Sequence, residues 1–366
     1  MDRDRILLTP GPLTTSLRTK LAMLKDWGSW DADFNGLTAD VCRRLVGIIH
    51  GEADFACVPL QGSGTFAVEA AVGTLVPRRG KLLVLVNGAY GERMAQLTRI
   101  MGRELAVLDF GESSPVQPER VAAALAADPA VTHVGIIHCE TSTGIRNPLE
   151  EVAEVVRAAG RRLIVDAMSS FAVLPLDCRE IPFDAVVASS NKGLEGVPGM
   201  GFVLVRKDAL LGAQGNAHSL SLDLHDQHAC LERTGRWRYT PPTHVVAALR
   251  AALDQFEAEG GRAGRYERYR SNCERLLRGL EDLALQPFLP REIQAPVIVT
   301  VHAPEHPNYA FPELYRRVKA SGYVLYPGKL TAAETFRIGC IGAIGAAEID
   351  GALDALARAL HAMDIR

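Results

Sequence analysis

Two kinds of hydrophobic pattern divide the chain. From about residue 60 to 210, short apolar runs recur as "KLLVLVNG", "LAVLDF", "HVGIIHCE", "RRLIVDAM", "DAVVASSN" and "GFVLVR". They are rich in β-branched residues and apolar throughout, as expected of strands covered on both faces. Between them lie segments with apolar residues at helical spacing, such as "PLEEVAEVVRAAG", which closes on Gly160. Strands that alternate with helices predict a doubly wound, mainly parallel sheet.

The pattern changes after "PPTHVVAALRAALDQFEAEGG", a long amphipathic helix stopped by Gly260 and Gly261. A charged helix follows over Arg262–Ala284, then a strand in "APVIVTV" and a helix around "PELYRRVKASG". Strands in "YVLYPG" and "TFRIGCIG" and a terminal helix near Ala346–Met363 complete the chain. The looser alternation predicts a smaller α+β unit with its boundary near residue 260. A length of 366 residues suits one large and one small domain.

Composition removes several classes. A net charge of −3 favours neither nucleic acid nor an acidic membrane surface. No apolar run is long enough to span a bilayer, and "MDRDRILLTPGP" lacks the apolar stretch of a secretory leader. Seven cysteines, an odd number with no C-x-x-C, read as reduced thiols in a cytoplasmic protein.

Three stretches carry candidate chemistry. In "LQGSGTFAVEAAVGTL" a Gly-Ser-Gly-Thr turn opens into an apolar helix, where free backbone N–H groups favour a phosphate. It is neither a Walker A loop nor a G-x-G-x-x-G fingerprint, and alone it is equally a plain strand-to-helix turn. In "LIVDAMSSF", Asp166 ends an apolar strand, where a carboxylate can face a cation or serve as an ordinary cap. In "SSNKGLEGVPG", Lys192 follows the next strand. It is either a solvated loop lysine or an amine placed to capture a carbonyl and shuttle a proton. Together the three belong at one crevice and match the needs of pyridoxal phosphate: an anion site, a partner for the ring nitrogen and an aldehyde-trapping amine. Tyr90 in "NGAYG" offers a flat ring to stack on such a cofactor. Arg337 in "TFRIGCIG" offers a fork for a carboxylate or phosphonate, or else marks a surface edge strand.

Two stretches look like metal sites and are set aside. "HDQH" (His225, His228), with His218 and Cys230 nearby, lacks a fourth ligand at recognisable spacing and reads as a polar loop. "HCE" (His138, Glu140) shares the H-x-E of zinc deaminases but not the P-C-x-x-C that should follow, and His138 falls in a core-like strand.

From end to end, the chain resembles the 2-aminoethylphosphonate–pyruvate transaminases, fold-type-I, class-V pyridoxal-phosphate aminotransferases. The resemblance rests on "LLTPGPLTTS", "LQGSGTFAVEA", "NGAYGERM", "ETSTGIRNP", "IVDAMSSF", "SSNKGLEGVPG", "SLSLDL", "RWRYTPPTHVV", "YPGKL" and "FRIGCIG". It implies a large α/β domain with a mostly parallel seven-stranded sheet, over residues 17–260, and a smaller α+β domain over 261–366 joined by residues 1–16. It implies that Lys192 holds the cofactor covalently and that Asp166 pairs with its ring nitrogen. Tyr90 would stack on the ring, Ser63, Gly64 and Thr65 would cradle the phosphate, and Ser142 would lie near the ring oxygen. Asn191 takes a phosphate-side amide position that is glutamine in some relatives. Thr240 matches a phosphate contact donated by a neighbouring subunit, hence a homodimer with shared sites. Arg337 would anchor the acidic group of the substrate. "TPGP" lies near the substrate in relatives, with no contact assignable from sequence. The "HDQH" stretch departs from the aromatic ending of relatives.

The implied activity moves an amino group from 2-aminoethylphosphonate to pyruvate, giving phosphonoacetaldehyde and L-alanine. The nearest rival is an alanine–glyoxylate or serine–pyruvate aminotransferase. A cofactor-binding regulator lacks spare length for a DNA-binding module, and a dehydrogenase lacks its glycine fingerprint.

Overall fold

The computed structural model describes residues 4–330 and 333–365. Its centre is a seven-stranded sheet built from β1 (Phe55–Gln61), β2 (Lys81–Val86), β3 (Glu104–Asp109), β4 (Val131–Ile137), β5 (Arg162–Asp166), β6 (Ala185–Ser189) and β7 (Met200–Arg206). Their spatial order is β1-β7-β6-β5-β4-β2-β3. Only β7 runs against its neighbours; the other six are parallel to one another. Buried apolar clusters cover both faces, one holding Val134, Val165, Val186 and Phe202, the other Val84, Ile164, Val187 and Val203. Successive side chains of one strand thus enter opposite cores, which is why the central runs are apolar throughout.

Two strands depart from that reading. β1 is absent from the predicted set because Pro59 interrupts its apolar run. Proline cannot donate to a ladder, and β1 lies at the sheet edge with β7 as its one neighbour. β3, at the opposite edge, alternates half-buried and exposed positions instead of being buried throughout. The "HDQH" stretch is also a correction: it lies in the helix Leu224–Thr234, not in a loop. The Asp223 carboxylate caps that helix by accepting from the Asp226 N–H, and Gly235 closes it in the left-handed conformation. Leu224 and Gln227 face inward, so the exposed polar residues masked the helical period. His138 is buried, but in the bend just after β4 rather than within a strand.

The later elements follow the expected order. The helices Thr243–Ala258 and Gly261–Asp282 lead to a three-stranded sheet of β8 (Ile298–His302), β9 (Tyr326–Pro327) and β10 (Thr335–Gly339), with β10 in the middle. Helices Phe311–Ala320 and Ala346–His361 cover it, and Leu8 from the N-terminal segment enters the same apolar cluster. Ile6–Leu7 pairs in parallel with Tyr323–Val324. Among the described residues, no helix is long and apolar enough to cross a membrane.

A buried polar cluster joins the turn after β6 to the helix Gly261–Asp282. The Arg265 guanidinium, 1% exposed, donates to the Gly193 carbonyl and pairs with Glu259 at 2.7 Å. Arg268 pairs with Glu195 and with Glu259, each at 2.6 Å. The Tyr269 hydroxyl donates to Glu195 at 2.5 Å and accepts from the Gly342 N–H at 3.2 Å. Removing that hydroxyl strips one bond from a buried carboxylate and leaves a backbone donor unpaired. Tyr269→Phe should therefore cost about 1–3 kcal/mol of stability, read as a lower midpoint in urea at unchanged m-value.

Candidate active site

Parallel strands deliver their carboxyl ends to one edge of a sheet, and loops leaving that edge form a crevice. Here β1 leads to Ser63–Thr65, β2 to Tyr90, β4 to Glu140 and Ser142, β5 ends on Asp166, and β6 leads to Asn191 and Lys192. Sequence positions far apart are thus gathered by topology alone.

Ser63 is the N-cap of the helix Gly64–Leu75, yet its hydroxyl makes no capping bond. First-turn amides have no carbonyl one turn back, so this end of the helix offers N–H donors and positive potential to an anion. A side chain at Gly64 would place its Cβ 2.2 Å from the Met168 Sδ, so the turn sits directly against the residue two beyond Asp166 and a larger residue would have to displace that thioether. The Arg93 guanidinium donates to the Thr65 hydroxyl at 3.3 Å, placing a cation at the same end.

Asp166 is buried and accepts from the Met168 N–H at 2.9 Å. Burial pushes its carboxyl up to about 7, with the Glu140 charge adding to the rise and Lys192 and Arg93 opposing it. A carboxylate in this position gains strongly from a cationic partner. Lys192 shows the reverse case. Desolvation lowers its amine to about 8, Asp166 pulls it up, and Arg337 and Arg93 push it down further. Its Nζ donates to the Pro10 carbonyl at 2.6 Å, which gives "TPGP" the contact that the sequence left unassigned. Gly11, at φ +121°, would set a Cβ 2.5 Å from that Nζ.

Glu140 organises the next two candidates. Its fully buried carboxylate accepts from the backbone N–H of Tyr90 at 3.1 Å and of Gly91 at 3.3 Å, so it serves as a distant cap for the helix Ala89–Ile100. It also accepts from the Ser142 N–H at 3.1 Å and hydroxyl at 2.5 Å. Its residue number stood in the rejected "HCE" motif, and its role is structural support rather than metal binding. His138 in that motif stays neutral, since burial lowers its imidazole to about 3.

Arg337 comes from β10, the middle strand of the smaller sheet, and is 2% exposed, which rules out a surface edge position. It donates to the carbonyls of Pro327 at 2.9 Å and Thr141 at 2.7 Å. Asn191 accepts from the Ser189 hydroxyl at 3.1 Å. Thr240 stands apart from these groups. It is exposed and lines a cleft of about 430 Å³ with Gln61, Gly62, Phe66 and Tyr239. Asp223, His225 and Asp226 place one ligand atom each within 4.8 Å of one another, without His228. Asp223 already caps its helix and Asp226 pairs with Arg238 at 3.1 Å.

Pro10, Arg93 and Lys329 at this crevice were not picked out from sequence, and Glu140 was weighed there only as a metal ligand and set aside. Arg93 and Lys329 sit in "NGAYGERM" and "YPGKL", and their shared neighbour Tyr90 is the signal that links them.

Comparison with known proteins agrees with this geometry. Residues 42–310 match the family model described as aminotransferase class-V. A 2-aminoethylphosphonate–pyruvate transaminase of Pseudomonas entomophila is 61% identical over 365 residues, covering 100% of this chain and 99% of that one. The protein of the same name from Pseudomonas aeruginosa is 59% identical over 364 residues, covering 100% and 98%. Among solved structures, an alanine–glyoxylate aminotransferase from Nostoc sp. superposes with a TM-score of 0.91 at 25% identity, covering 98% and 96%. A pyridoxamine–pyruvate aminotransferase from Mesorhizobium loti gives 0.91 at 24%, covering 99% and 93%.

The lowered Lys192 amine has a direct consequence. Only the neutral amine attacks an aldehyde. Covalent uptake of pyridoxal phosphate by the cofactor-free protein, trapped with borohydride, should speed up with pH and level off above about 8. A half-maximal rate near the ordinary lysine value of 10.5 would show that Lys192 is not desolvated.

Proposed function

The chain belongs to the class-V aminotransferases, and on that premise we propose that it moves the amino group of 2-aminoethylphosphonate to pyruvate, yielding phosphonoacetaldehyde and L-alanine. The observation that carries this reading is the gathering of Lys192, Asp166 and buried Arg337 at one sheet edge, near enough for Asp166 and Arg337 to act on the Lys192 amine, in a chain about 60% identical over its full length to transaminases of that name.

The residues fit pyridoxal phosphate. Asp166 is a buried carboxylate whose hydrogen bond to Met168 leaves it short of a cationic partner. The Ser63 helix end is a ready anion site, and Lys192 is an amine made nucleophilic by burial. When bound, this cofactor supplies an aldehyde that captures amines and a ring that accepts the electron pair released at the substrate carbon.

Lys192 would hold the aldehyde carbon, and its Nζ, once free, would carry the proton between the substrate carbon that bears nitrogen and the carbon of the former aldehyde. With its amine near 8, Lys192 exchanges that proton at little cost around neutral pH. Asp166 would pair as a carboxylate with the protonated ring nitrogen. Ser63, Gly64 and Thr65 would receive the phosphate, with Asn191 on the same side. Tyr90 would stack on the ring, and Ser142, held by Glu140, would lie near its oxygen. Arg337 binds the remote acid group and so aims the reacting carbon at Lys192.

We also propose a homodimer with shared sites in a cytoplasmic setting. Thr240 is exposed on a face that also exposes Phe66, Leu220 and Tyr239, with Trp30 beside it over Arg236. In a dimer that face would be covered and Thr240 would reach the phosphate of the neighbouring site. The seven free cysteines agree with a reducing compartment. The division into residues 17–260 and 261–366 with 1–16 is supported by the separate apolar cluster that includes Leu8.

Three experiments test the reading. Purified enzyme should form L-alanine from 2-aminoethylphosphonate and pyruvate faster than it forms glycine from glyoxylate with alanine or serine as donor. Lys192→Ala should abolish both that turnover and the visible cofactor band; a fully active variant would remove Lys192 from the chemistry. Sedimentation should give twice the 39.6 kDa chain mass, and a monomer at assay concentration would end the shared-site proposal.

A further inference from the structure

Three cations gather around one aromatic ring in this crevice. The Lys329 Nζ lies 4.6 Å from the centroid of the Tyr90 ring, and the Arg93 Cζ lies 5.0 Å from it. Arg337 is near enough to the Tyr90 phenol to be influenced by it, while its Cζ lies 5.0 Å from the centroid of the Tyr326 ring. Elsewhere the protein pairs buried Arg44 with Asp254 and Glu257, buried Arg265 with Glu259 and half-buried Arg268 with Glu195, while buried Arg103 stands alone and meets the carbonyls of Gly73 and Asn216. In the crevice three cations together go without a carboxylate. Among the described residues, none of Arg93, Lys329 and Arg337 forms an ion pair; Arg93 meets the Thr65 hydroxyl and Arg337 meets two carbonyls. The nearby carboxylate, Glu140, spends its oxygens on Ser142 and on backbone N–H groups.

Unpaired cations held together in a partly desolvated site repel one another, and an incoming anion relieves that cost. The repulsion shows on Lys329, whose amine is lowered by burial and then by Arg93 and Arg337, with Glu140 and Glu92 opposing. Arg93 is occupied at the helix end that would take the cofactor phosphate. Lys329 comes from the loop after β9, and the Pro327 carbonyl in that segment fixes Arg337. Lys329 and Arg337 therefore form a pair on the substrate side. A carboxylate offers two oxygens and one charge, which a single guanidinium satisfies. A phosphonate offers three oxygens and up to two charges, one oxygen and one charge more than that guanidinium can meet.

We propose that Lys329, beside Arg337, takes the third oxygen of the donor's acid group and ranks phosphonate donors above carboxylate donors. This rests on the functional reading above. The test uses holoenzyme and Lys329→Met, with each half-reaction followed as a single turnover. The two donors, 2-aminoethylphosphonate and β-alanine, share a skeleton and differ in the acid. Binding without turnover is read by competition with ethylphosphonate and propionate. The variant should lose about 10- to 100-fold in kcat/KM for the phosphonate donor, the scale of one hydrogen bond to a charged group. Its loss in the pyruvate half-reaction should be several-fold smaller, ethylphosphonate should weaken more than propionate, and Lys329→Arg should recover most of the preference. Equal losses on both acids, or no loss on the phosphonate, would overturn the inference while leaving the transaminase reading intact. Wild-type enzyme inert toward 2-aminoethylphosphonate would overturn that reading, and this inference with it.

Discussion

The buried cluster of Arg265, Arg268, Tyr269 and Glu195 sets the geometry on which the crevice depends. A glycine-rich turn after a strand is ordinarily a loose surface feature. Here Arg265 grips the Gly193 carbonyl directly beside Lys192, while Arg268 and Tyr269 hold Glu195. Glu195 sits at φ +59°, a conformation its side chain disfavours, and its anchored carboxylate keeps it there. The same helix reaches the other half of the site: Arg268 donates to the carbonyls of Gly342 and Ile344, just beyond β10. One set of side chains thus fixes both the strand that carries Arg337 and the turn that carries Lys192. Burying these charges is costly, and mutual pairing is what offsets it.

That rigid frame permits an unbalanced charge distribution between its parts. Asp166 and Lys192 are each pushed toward neutrality by desolvation, to about 7 and about 8. Each is then held short of it by the other. The excess of cations at Tyr90 is relieved only in part, by the charges of Glu140 and Glu92. It keeps the lysine amine low and waits for an external anion, so the charges that recognise substrate also tune the base. Recognition and reactivity are coupled through space rather than through a moving part.

Much of this was legible from the sequence, and the limits have physical causes. The central strands announce themselves because both their faces are buried. β1 escaped because Pro59 breaks its run, and the helix Leu224–Thr234 escaped because few of its residues face inward. Lys192, Asp166 and Arg337 stand out as charges bordering apolar strands. Their roles, with those of Tyr90 and Ser63–Thr65, came from the resemblance rather than from spacing. Glu140 was hidden because its partners are backbone N–H groups, which carry no sequence signature. Pro10 contributes only a carbonyl, and Lys329 matters only through neighbours brought close by the fold.

An enzyme that must accept a phosphonate in one half-reaction and a carboxylate in the other faces a conflict at a single arginine. Uniform tightening of Arg337 would hold both acids more firmly and favour neither transition state. Discrimination has to come from a group that one acid reaches and the other does not. The placement of Lys329 meets that requirement: its amine lies by the ring of Tyr90, two residues beyond the Pro327 carbonyl that holds Arg337. Specificity can then vary at one half-buried side chain while the catalytic frame, tied down by Arg265 and Glu195, stays unchanged.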